Sequence, residues 1–110
     1  MATAETITPE IKNHDLPYGD GTNWMSFHVG TCVGWFGEND QSIDVFGIGN
    51  SCPGNGHFDA ALEFMLNMCK DRNKDMVIEH FVNEGFMKHM IGKRGFSMLG
   101  NTSVIMRIRS

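Results

Sequence analysis

The stretch Ile43-Asp-Val-Phe-Gly-Ile-Gly-Asn-Ser-Cys-Pro-Gly-Asn-Gly-His-Phe58 decides the fold. Its first half, Ile43 to Ile48, is an apolar run of strand length. Gly54 and Gly56 then mark a loop, and a helical pattern opens at His57 or Phe58. A strand that passes through a glycine-rich turn into a helix leaves several backbone N–H groups unpaired in one place. Those amides and the positive end of the helix dipole favour anionic oxygens, so the stretch points to a phosphate-bearing ligand.

Downstream, Phe58, Ala61, Leu62, Met65, Leu66 and Cys69 fall on one face of a helix. Asp59 and Glu63 near its start, with Lys70 and Arg72 near its end, complement the dipole. Asn73 to Asp75 is a turn, and Met76 to Val82 is a short apolar strand carrying Glu79 and His80. A second helix is expected over Glu84 to Gly92. Strands follow at Phe96 to Leu99 and Ser103 to Ile108, joined by the hairpin signal Gly100-Asn101.

Upstream, strands are expected near 24–29, 32–36 and 42–48, with a turn from Gly37 to Gln41. Residues 1–22 are polar and contain Pro9, Pro17, Gly19 and Gly21; they read as an extended arm ahead of one domain at 23–110. The expected order is β-β-β-α-β-α-β-β. That is an α/β fold, a mixed, mostly antiparallel sheet with two flanking helices.

At 110 residues the chain is long enough for one buried core, and 41% hydrophobic with 20% charged residues is ordinary globular composition. A net charge of −4 argues against nonspecific nucleic-acid binding. No run approaches the roughly 18 apolar residues of a membrane span. The first residues lack the basic start and apolar core of a signal peptide, and the cysteines suit a reduced, cytoplasmic setting. Cys32, Cys52 and Cys69 are odd in number and lack metal spacing, which points to reduced thiols with no disulfide framework and no metal.

Three local features carry a family resemblance. Ser51-Cys-Pro-Gly54-Asn-Gly56 looks like a pyrophosphate loop, Arg/Gln-x-x-Gly-x-Gly/Ala. Asn83 follows the strand at 76–82, and Lys93-Arg-Gly95-Phe96 looks like a Lys-x-Gly-Phe signature before a closing hairpin. In that order and spacing, residues 24–108 resemble the GNAT superfamily of acyl-CoA-dependent N-acyltransferases. The resemblance implies a GNAT-like fold in a minimal or truncated form. It also implies acetyl-CoA as cofactor and transfer of an acetyl group to a primary amine, on a small molecule or a protein. In the family the loop lies between the fourth strand and the main helix, and Asn83 stands where many members contact the cofactor arm. Ser51 replaces the usual Arg or Gln, and Ile91 stands where many members place a tyrosine acid. The family's first strand and the two helices of its acceptor wall have no evident counterpart before Trp24.

The resemblance therefore assigns cofactor binding to Ile48, Ser51, Pro53, Gly54, Asn55, Gly56, His57 and Asn83. Candidate catalytic residues are His80, Glu79 and His89. Alternation puts Glu79 and His80 on opposite faces of the sheet, so at most one of them faces a central cleft. A histidine at position 80 titrates near neutrality and suits acceptance of an amine proton, while His89 could stand in for the tyrosine. A nucleophilic Cys52 would need a base, and His57 is the only local candidate, so direct attack of the amine is expected. The methionines and Trp24, Phe27, Trp35 and Phe46 read as core or sheet surface. A sheet with so few covering helices leaves apolar area for a homodimer or protein partner. The alternative reading is a catalytically silent GNAT-like module that works through protein contacts.

Overall fold

The computed structural model of the chain describes residues 7–19, 22–79 and 84–110. Seven strands form one sheet in the order β1-β2-β3-β4-β5-β7-β6. The strands are β1 (Glu10–Tyr18), β2 (Thr22–Val29), β3 (Cys32–Glu38), β4 (Ser42–Asn50), β5 (Asp75–Glu79), β6 (Ser97–Leu99) and β7 (Ser103–Met106). Helix α1 (His57–Arg72) links β4 to β5, and α2 (Glu84–Arg94) links β5 to the closing hairpin. Every strand pair is antiparallel except β4 with β5. The fold is therefore α/β with an open, mostly antiparallel sheet and two helices. No helix among the described residues is long and apolar enough to cross a membrane.

One expectation is corrected at the start of the chain. Residues 10–18, read as part of a loop-like arm, are an edge strand paired with β2. Its alternation is hidden by an irregularity between Asn13 and Pro17, where Asp15 takes a left-handed φ of 53°. The Asn13 side chain stabilises that bend by accepting the Asp15 N–H at 2.8 Å. Pro17 is tolerated because an edge strand has a spare hydrogen-bonding side.

Register separates the two faces. Phe27, Val29, Cys32, Phe36, Ile43, Val45, Met76, Ile78 and Val104 lie on one face, all buried. Ala61, Leu62, Met65 and Cys69 of α1 and Met90 of α2 close over them, which is why the helical stripe read from the sequence is apolar. The two helices share this side, since Phe58 meets Phe86 and Arg94 pairs with Asp59. The opposite face carries Tyr18, Trp24, Trp35, Phe46, Val77 and Ile105 and no helix among the described residues. Burial raises the Cys32 thiol to about 11 and, with the nearby charge of Glu38, the Cys69 thiol to about 12, so both stay protonated core groups.

Asn73 ends α1 in a left-handed conformation, as its small polar side chain permits. The chain then enters β5 at buried Asp75, whose Oδ1 accepts the N–H groups of Ile108 and Arg109 at 2.8 and 2.9 Å. Burial alone would raise this carboxyl. The two backbone donors and the charges of Arg109 and Arg107 outweigh burial and hold it below its ordinary 3.8. A depressed native value stabilises the fold above the ordinary pKa, and that contribution is lost as pH falls through the native value. Stability measured by denaturant titration should therefore drop below about pH 4, and Asp75→Asn should flatten that drop. An unchanged acid limb in Asp75→Asn would show that the clamp contributes nothing.

Candidate functional site

Strands β4 and β5 pair from Ser42 opposite Asp75 to Phe46 opposite Glu79. Glu79 is the last described residue of β5, and β4 runs on to Asn50. The same stretch of β4 is bulged on its other side. Trp35 pairs with Phe46 and Val33 with Gly49, so Gly47 and Ile48 together oppose Gly34. Gly47 has φ 61°, the left-handed geometry of a glycine bulge, which frees backbone polar groups from the ladder. Ile48, Gly49, Asn50, Pro53, Gly54, Phe58 and Phe86 line a cleft of about 490 Å³ at this place. Phe58 and Phe86 form its helical wall, edge to face with centroids 5.2 Å apart. A second hollow of about 380 Å³ lies at the opposite end of α1, where Glu38 is neutralised by Arg72 and Lys74.

The loop between β4 and α1 is held by a polar network reaching back to the β2–β3 turn. Thr31 Oγ1 donates to Asn50 Oδ1 at 2.6 Å and accepts from Asn55 Nδ2 at 2.8 Å. Asn50 Oδ1 also accepts the Cys52 N–H at 3.0 Å, and Asn50 Nδ2 donates to Asn55 Oδ1 at 3.2 Å. The Thr31 N–H donates to His57 Nδ1 at 2.9 Å, so that nitrogen carries the lone pair. His57 fits there because Gly30 has no side chain: an added Cβ would overlap the imidazole, and φ at Gly30 is 61°. Loop and turn are one locked unit.

Every expected binding residue but Asn83 has a place among the described residues. Ile48, Pro53 and Gly54 line the cleft. Ser51 anchors the loop through its N–H to the Thr31 carbonyl at 3.2 Å. The Asn55 amide and His57 Nδ1 are engaged in the network. Gly54 and Gly56 have φ 87° and 83° and open space where a Cβ would stand. Both glycines thus hold left-handed backbone that side chains rarely adopt, beside open space. No side chain caps α1 at Gly56. The Phe58 and Asp59 amides consequently have no partner within the helix, and these are the amides that favour an anion. Asn83 and His80 lie outside the described residues.

Glu79, the last described residue of β5, is opposite Phe46 in register and on the same open face. Tyr18, read from the sequence as part of the arm, is close by: its hydroxyl donates to Asp44, and its ring lies 4.6 Å from Trp24 and 5.9 Å from Phe46. Burial, the Asp44 bond and the charges of Asp44 and Glu79 all push the phenol well above its ordinary value, so it stays protonated. Asp44 also accepts from Ser42 Oγ at 2.6 Å. Sequence reasoning missed Tyr18, Asp44, Thr31 and Asn50, whose partners are brought close only by the sheet and the loop. His89 is exposed and accepts from Arg94 Nε at 3.2 Å, away from the open face. Cys52 is exposed, and His57 turns its Nδ1 to Thr31 rather than to this thiol. No family model, curated protein or solved structure matches this chain.

Proposed function

We propose that this chain is a GNAT-like N-acyltransferase that takes an acetyl group from acetyl-CoA and passes it to a primary amine. The observation that carries the reading is the glycine loop that leads from β4 into the uncapped start of α1, beside the cleft walled by Phe58 and Phe86. With β1 counted, the glycine loop follows the fourth strand and precedes the longer helix, the position in which the resembled family has its pyrophosphate loop. The residues fit such a group: free amides for a diphosphate, an apolar cleft for a slender arm, and a bulge that frees backbone N–H groups of β4.

Acetyl-CoA would supply the activated thioester, and the chain's own residues would orient and deprotonate. Amides at the start of α1 hold the diphosphate, and Gly54 and Gly56 give the loop its left-handed turns. The amine enters over the open face, where Glu79 takes its proton directly or through water. Tyr18 and Asp44 hold one another in place beside it. The proposed location is the cytoplasm.

Thiol release from acetyl-CoA in the presence of an amine panel tests the reaction. Amine-dependent release should fall about 100-fold in kcat for Glu79→Gln while acetyl-CoA affinity stays unchanged. Release that is equal in the variant removes Glu79 from the mechanism. The second reading is a silent binding module that joins a second copy or a protein partner. Ile91 is exposed where the family's tyrosine would stand, and no described helix walls the open face. Acetyl-CoA binding without release to any amine would favour it.

A further inference from the structure

Asn55 is the one asparagine of the chain followed by glycine. Both residues are exposed, and nothing lies within 4 Å of the position a Gly56 Cβ would take. Asn55 Oδ1 accepts the His57 N–H, two residues on, at 3.0 Å. That hydrogen bond closes a ring of atoms that includes both Asn55 Cγ and the intervening Gly56 nitrogen. The Gly56 N–H takes part in no hydrogen bond among the described residues, and its neighbour's Oδ1 receives a second donor, Asn50 Nδ2, at 3.2 Å. Two N–H donors on one carbonyl oxygen, one of them at a helix N-terminus, polarise its carbon and stabilise an oxyanion there.

We infer that Asn55 is a site of spontaneous modification, in which the Gly56 nitrogen closes on the Asn55 side chain and the amide is lost. The bond from Gly56 N to Asn55 Cγ forms and the Cγ–Nδ2 bond breaks. The Gly56 N–H proton passes to water, and water protonates the departing nitrogen, which leaves as ammonia. Water then opens the cyclic imide to aspartate or isoaspartate; no electrons change hands.

The product changes the loop in two ways. The Nδ2 donor to Thr31 Oγ1 disappears, together with its 3.1 Å contact to His57 Nδ1. A carboxylate takes its place where the start of α1 favours anions. In the isoaspartyl form the backbone also gains a methylene between positions 55 and 56. On the proposed function, the intact loop leaves the Phe58 and Asp59 amides to a ligand, and the modified loop brings an anion of its own to the start of α1.

Peptide mapping of the full wild-type chain, held near neutral pH at body temperature, tests this. Asn101, exposed in the β6–β7 turn and followed by threonine, is the internal reference. The expected result is loss of the Asn55 amide, with the isoaspartyl form prominent, while Asn101 keeps its own. Retention of the Asn55 amide for as long as that of Asn101 overturns the inference.

Discussion

Phe27→Ala is expected to lower the unfolding free energy by about 3–5 kcal/mol, a large share of a domain's usual margin. Phe27 is fully buried in the middle of the sheet, 6.2 Å from Phe36 by ring centroids. Its ring fills the space that Gly34 leaves open: a Cβ at Gly34 would come within 2.6 Å of it. The same Cβ would sit 3.3 Å from the Ile48 backbone, so ring, glycine and bulge form one packing unit. Removing the ring leaves a cavity that β3 cannot fill without moving the bulge. Gly34→Val in the wild type should cost about 1–3 kcal/mol by overpacking. The double variant Phe27→Ala/Gly34→Val should be more stable than the sum of the single effects allows, because the added side chain occupies the cavity. Denaturant titration of the four proteins reads this coupling. Strict additivity would show that the two residues do not share the space.

Gly56→Val should weaken acetyl-CoA binding by about 100-fold, roughly 2.8 kcal/mol, while the protein stays folded. The side chain itself has room, since nothing lies within 4 Å of its first carbon. The difficulty is φ 83°, which a β-branched residue avoids. Remaining there costs about 1–2 kcal/mol of stability, which a domain survives. Relaxing φ swings the peptide planes on either side and turns the amides at the start of α1 away from the ligand. Affinity should therefore fall well beyond stability. Affinity equal to wild type in a folded Gly56→Val protein would remove the loop from the binding site.

The helices and the inner strands could be read from the sequence because local pattern and tertiary role agree there. The stripe Ala61, Leu62, Met65 and Cys69 is buried against the sheet, and the run from Ile43 is a central strand. β1 could not be read, because the bend at Asp15 and the proline at 17 erase its alternation; pairing with β2 supplies what propensity does not. The loop glycines were visible as punctuation. Their partners were not: Thr31 and His57 are joined only once two hairpins and a helix are assembled. Tyr18 is the clearest case. Its relation to Asp44 spans 26 positions and depends on β1 and β4 presenting residues to the same face.

The proposed function depends most on acetyl-CoA binding in the cleft beside β4 and α1. Calorimetric titration of the wild-type protein with acetyl-CoA, with ATP as control, tests it most directly. The expected result is saturable micromolar-range binding of acetyl-CoA, weaker binding of ATP, and loss of the acetyl-CoA signal in Gly56→Val. No heat from a folded wild-type protein, or ATP bound as tightly as acetyl-CoA, would contradict it.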